Sequence, residues 1–148
     1  MAKTYAAKSV AIYPVATNNN TLGGALFALG DYPKAYAAFT NGLKSAQLVA
    51  LYENLAQLTV VYGDPKANEQ FLLRSTSFFP QNMKIWLYLA IQQYRNGDIT
   101  NARSSITNAV NYGQVPQEVY DGIINNRPFS FNIDNNKTIF VQLQHTGL

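Results

Sequence analysis

His145 is the only histidine in the chain, three residues from the final Leu148, and it is the first candidate for acid–base chemistry. A working imidazole needs a second group that orients and tunes it, and no such partner is identifiable nearby in the sequence. Three carboxylates stand out next: Asp31, Asp64 and Asp98, each preceded by glycine (Gly30, Gly63, Gly97) at intervals of 33 and 34 residues. A shared metal ion would require oxygen ligands within about 2.0–2.6 Å. Residues spaced one repeat apart fall on separate turns of helices packed about 8–10 Å apart, so helix capping is the expected role of these carboxylates. Gly23-Gly24 lies inside a helical pattern rather than between a strand and a helix, which excludes a phosphate loop. Paired acids, a Ser-His arrangement and a Lys-bearing phosphate loop are all missing from the pattern. The expectation is a protein with no catalytic residues, no cofactor and no metal.

Composition narrows the class further. The chain has 148 residues, enough for one domain with a core. Charged residues make up 13%, about half the usual share. The net charge is +3, and the 11 Lys and Arg residues are scattered singly. Nucleic acid calls for a concentrated basic face, so it is not an expected partner. With no cysteine there are no disulfides or thiolate metal sites. No stretch approaches the roughly 20 apolar residues of a membrane-spanning helix, so direct membrane insertion is not expected. The sparse charge leans toward an extracytoplasmic or cell-surface setting, with the cytoplasm as the alternative. For an exported chain, Asn19 and Asn136 match the acceptor pattern for N-glycosylation.

The elements that must position any site follow from the Gly-Asp spacing. Each Gly-Asp pair follows one apolar helical pattern and precedes another. The third copy is the cleanest, with Trp86, Leu89, Ala90 and Gln93 on one face of a first helix and Ala102, Ile106 and Ala109 on one face of a second. The first copy gives Asn19, Leu22, Gly23 and Leu26, then Ala35, Phe39 and Gly42. The second gives Tyr52, Leu55, Ala56 and Thr59, then Ala67 and Phe71, with one residue missing in the turn. Small residues at Gly23, Ala56 and Ala90 and at Ala35, Ala67 and Ala102 allow close helix approach, and Phe39, Phe71 and Ile106 are expected to fill the joint to the next hairpin.

This pattern resembles the tetratricopeptide repeat family, over roughly residues 16 to 116. The resemblance implies an all-α fold: a right-handed superhelical stack of antiparallel helical hairpins, a TPR-like α-solenoid. The repeats would span about residues 16–48, 49–82 and 83–116, within a helical domain over 1–128. It also implies a concave groove lined by the first helices. Carried onto this sequence, the groove positions are Asn20, Gly24 and Phe27, then Glu53, Gln57 and Val60, then Lys84, Leu87, Ile91 and Tyr94. Family members that hold a C-terminal carboxylate do so with several basic residues, and here only Lys84 is available. An extended or helical segment with apolar anchors is the better match. Alanine at Leu87 and Tyr94 is expected to weaken capture without unfolding the chain.

Both ends depart from the repeat. Residues 2–14 read as a second helix without its first, so the chain is expected either to be a fragment or to have its exposed helix face covered. A terminal helix is expected over 117–125, and a tail over 129–148 in which Phe129, Phe131 and Ile133 alternate with polar residues and read as a β-hairpin to residue 143. The functional expectation is a protein–protein interaction scaffold. The alternatives are a self-assembling subunit, stacking head to tail with further copies of itself into a filament or ring, and the soluble tail of a larger membrane-bound enzyme such as a surface-sugar polymerase or ligase.

Overall fold

The structure, a computed structural model, describes residues 16–134 and 137–143. The half repeat expected over 2–14, the acceptor Asn136 and the histidine His145 lie outside the described residues. Among the described residues, seven helices are followed by a two-stranded antiparallel sheet. The chain divides into two compact units, residues 1–62 and 63–148, so the repeat expected over 49–82 is shared between them.

The first unit contains α1 (Ala16–Ala28), α2 (Tyr32–Ser45) and α3 (Val49–Leu58). Gly30 ends α1 by taking a φ of 80°, a left-handed conformation that costs a side-chain-bearing residue far more. The Gly30 N–H then donates to the Phe27 carbonyl at 2.9 Å and the Asp31 N–H to the Leu26 carbonyl at 2.9 Å, satisfying two carbonyls of the last turn. Asp31 caps α2 by accepting from the Lys34 N–H at 3.4 Å, and Pro33 occupies the first turn, where a missing amide hydrogen costs little.

Packing in this unit depends on absent side chains. A Cβ on Gly23 would stand 2.3 Å from Cε1 of Phe39, so the buried phenyl ring lies directly on the backbone of α1. Phe39 thus closes its own hairpin; the sequence had placed it at the joint to the next. That joint is made instead at Gly42, where a Cβ would come within 2.9 Å of Leu51 Cδ2 and 3.1 Å of Asn19 Cβ.

The second unit contains α4 (Pro65–Phe78), α5 (Met83–Arg95), α6 (Ile99–Tyr112), α7 (Gln117–Ile124), β1 (Phe129–Asp134) and β2 (Lys137–Val141). The α5–α6 hairpin repeats the turn chemistry of α1–α2. The Gly97 N–H donates to the Tyr94 carbonyl at 3.1 Å, the Asp98 N–H donates to the Gln93 carbonyl at 2.9 Å, and Asp98 Oδ1 accepts from the Asn101 N–H at 3.2 Å. Asp64 caps α4 through the Ala67 N–H at 2.9 Å, with Pro65 as the first helical residue.

The phase of α4 corrects one reading of the sequence. Counting four, eight and eleven residues from the capping aspartate gives Ala35, Phe39 and Gly42 on α2 and Ala102, Ile106 and Ala109 on α6, all buried. The same count from Asp64 gives Asn68, Leu72 and Ser75, and it is Leu72 and Ser75 that are buried, while Ala67 is exposed and Phe71 half-buried. The cap sets the phase of a helix, because it fixes where the first turn begins. The irregularity falls before the turn: α3 stops at Leu58, five residues short of Gly63, whereas α1 stops at Ala28, two short of Gly30.

The C-terminal hairpin forms as expected from the alternation of apolar and polar residues. Phe129 pairs with Val141 and Phe131 with Ile139, and these residues face inward or lie half-buried. A Cβ on Gly122 would stand 2.3 Å from Phe129 Cδ1, so α7 receives β1 as α1 receives Phe39. No helix among the described residues is long and apolar enough to cross a membrane.

Adjacent glycines make the close-approach account testable. Gly23→Ala is expected to destabilise the chain by about 1–3 kcal/mol, because Phe39 must leave its place. Gly24→Ala, with nothing within 4 Å of the added carbon, is expected to stabilise by about 0.5–1 kcal/mol. Urea unfolding midpoints of the two variants against the parent chain check both signs.

Candidate functional site

The residues expected to line a groove separate by unit. In the first unit, Asn20 and Phe27 lie on α1 at helical spacing with Gly24, and all three are at least partly exposed. Glu53 and Gln57 on α3 are half-buried, and Val60, just past its end, is buried. The two helices meet through a bond that the sequence reading missed: Asn54 Nδ2 donates to Asn20 Oδ1 at 2.7 Å. These residues are 34 apart in the chain, and the bond ties α1 directly to α3. The spacing of 33 pairs Asn20 with Glu53, and the bond goes to the next residue, Asn54.

Aromatic rings border this face. Phe27 and Tyr32 stack tilted with centroids 5.5 Å apart, and Tyr36 meets Tyr62 at 5.7 Å. Rings at such separations favour tilted or edge-to-face contact and restrict one another's orientation.

In the second unit only Lys84 is exposed, while Leu87, Ile91 and Tyr94 are buried. Tyr94 is 1% exposed, with the Phe129 ring centroid 5.6 Å from its own, and Tyr88 meets Phe131 edge-on at 5.8 Å. The unit's own β1 therefore lies on α5. Truncating Leu87 and Tyr94 would remove core packing, at a cost of about 2–5 kcal/mol for each. The expectation that this pair can be changed without loss of stability is corrected accordingly.

The buried polar groups of α5 hold the unit's helices in register. Ser105 Oγ donates to Gln93 Oε1 at 2.6 Å, tying α6 to α5. Asn96 Nδ2 donates to Glu69 Oε1 at 2.9 Å and to the Pro65 carbonyl at 3.3 Å, tying the end of α5 to the first turns of α4. Gln93 was legible from its place on the packed face. Asn96 and Glu69 were not, because their partners come from different helices.

Asn19, the other glycan acceptor, is 7% exposed on the inner side of α1 and its Cβ stands against Gly42. A glycan there would have to displace α2. Asp31, Asp64 and Asp98 each accept a bond from the backbone N–H three residues on, the geometry of helix caps.

Burial also changes the chemistry of α5's ionisable groups. The Tyr88 phenol is pushed up to about 12 by desolvation. Tyr94 is raised and Arg95 is lowered by the same cause, because each loses the water that would stabilise its charged form. The chain matches no protein-family model and no curated protein.

The phenol of Tyr88 yields a pH prediction. The folded chain holds this proton while an unfolded chain releases it near 10.0, so stability is full below that pH and falls between 10 and about 12. The expected loss is about 1–3 kcal/mol. Chemical unfolding across this window should show a smaller alkaline loss in Tyr88→Phe than in the parent, since phenylalanine has no proton to lose.

Proposed function

We propose that the chain is a non-catalytic scaffold of tetratricopeptide-like hairpins, stacked as an α-solenoid, that captures an extended or helical protein segment on the α1–α3 face of its first unit. The observation that carries this reading is the Asn20–Asn54 bond, which ties α1 to α3, the two helices that the repeat pattern makes first helices of successive hairpins. First helices side by side are what a concave groove requires.

The chemistry of that face suits a peptide. Asn20 and Gln57 carry side-chain amides, a group that both donates and accepts as a peptide backbone does. Phe27 offers an apolar anchor, and Glu53 supplies a negative charge at its edge. No cluster of basic residues stands among these positions, so a segment's interior suits the face better than a terminal carboxylate. The buried Leu87, Ile91 and Tyr94 serve the second unit's core in this reading, and Lys84 alone of the third copy would remain for contact.

The test is capture by the immobilised chain from its native source, followed by titration of the identified segment. Phe27→Ala together with Gln57→Ala should weaken that binding by about 10-fold or more, with the unfolding midpoint shifted by no more than about 1 kcal/mol. Equal affinity in the parent and in the folded double variant would remove the face from consideration.

A further inference from the structure

The hairpin of β1 and β2 presents a feature that the scaffold reading leaves unused. β1 is anchored: Phe129, Phe131 and Ile133 are buried, with Phe129 on Tyr94 and Gly122 and Phe131 on Tyr88. A two-stranded hairpin is marginal in water by itself, and these contacts hold it in place. β2 pairs with β1 on one side only, because the sheet has two strands. Its other edge carries a row of backbone N–H and C=O groups with no strand partner among the described residues.

Natural edges are blunted by proline, by a bulge, by a central charge or by extreme shortness. Residues 137 to 143 contain no proline, and the register irregularity falls between Asn132 and Asp134 on β1, leaving β2 regular. The one charged residue of β2 is Lys137, at its first position. The centre reads Thr138, Ile139 and Phe140, and Phe140 is 65% exposed. A row of peptide groups with no strand beside it among the described residues recognises one kind of partner chemistry, an extended backbone.

We propose that β2 pairs edge to edge with β2 of a second copy, antiparallel about a two-fold axis through Ile139. In that register Phe140 lies across from Thr138 of the other copy, a ring beside a β-branched residue, the pairing that sheets favour. Lys137 lies across from Val141, not from another lysine. The two ammonium-bearing positions fall four residues apart along the strands, roughly 13 Å at the usual rise, beyond the screening length of about 8 Å at physiological salt. The strand can therefore pair with itself without setting like charges against each other. A sheet of four strands results, β1-β2-β2-β1, with both outer strands already anchored to helices. Five residues bury less than the roughly 800 Å² per partner of a stable complex, so the dimer is weak and forms in the tens to hundreds of micromolar, an order-of-magnitude expectation.

Sedimentation velocity of the full chain from about 5 to 500 μM tests the assignment across the range expected of so small an interface. The expected result is a reversible shift from monomer toward dimer, with slowed hydrogen exchange of β2 amides as concentration rises. Phe140→Lys and Thr138→Lys, both at exposed positions, should each remove the shift while circular dichroism stays that of the parent. A monomer throughout the range overturns the proposal. So does a dimer that persists in both folded lysine variants, which would place the contact on another surface. Because the proposed pairing involves β2 alone, loss of the dimer would leave capture by the α1–α3 face unaffected, and failure of capture would leave the dimer.

Discussion

A phenyl ring can rest on a helix backbone only where the facing residue has no side chain, and the first unit depends on one such place, Gly23 beneath Phe39. The ring draws α1 and α2 together, and the hairpin so formed offers Gly42 to Leu51 of α3. Only then do Asn20 and Asn54 come within hydrogen-bonding distance. Each contact supplies the geometry for the next, from two missing side chains to the face proposed to bind a partner. The second unit uses the same device at its far end, where Gly122 receives Phe129 and so lets β1 lie against the helices.

Polar side chains take over where a more charged protein would use ion pairs. In the second unit α5 is tied to its neighbours α4 and α6 through side-chain hydrogen bonds: Gln93 to Ser105, and Asn96 to Glu69 and the Pro65 carbonyl. A buried amide bond adds about 0.5–1.5 kcal/mol and punishes misregister by leaving a donor or acceptor unpaired. With charged residues at only 13% of the chain, such bonds carry much of the positional information. The Lys34–Asp31 pair, at 3.8 Å on an exposed turn, adds little beside the cap that Asp31 already makes.

The sequence made the turns legible because their chemistry is local. A glycine followed by a capping aspartate announces the end of one helix and the start of the next, and Gly30, Gly63 and Gly97 all have positive φ. The alternation at Phe129, Phe131 and Ile133 likewise announced a strand, since period two needs no distant information. What could not be read was packing across elements. Leu87, Ile91 and Tyr94 sat at groove positions by analogy with a repeat, yet all three are buried, and the ring that meets Tyr94, Phe129, arrives 35 positions later in the hairpin. The phase of α4 was misjudged because a residue was taken to be missing from its turn, whereas the buried Leu72 and Ser75 keep the same offset from the capping Asp64 as in the other copies.

Direct observation of Gly23 against the ring of Phe39 by nuclear magnetic resonance tests the central constraint. The structure requires the Gly23 α-protons to be shifted strongly upfield by the ring current and to show cross-relaxation with the Phe39 ring protons. Gly23 α-protons at an ordinary glycine position, with no such cross-peaks in a folded sample, would mean that α1 and α2 meet elsewhere and that the face built on their hairpin does not exist.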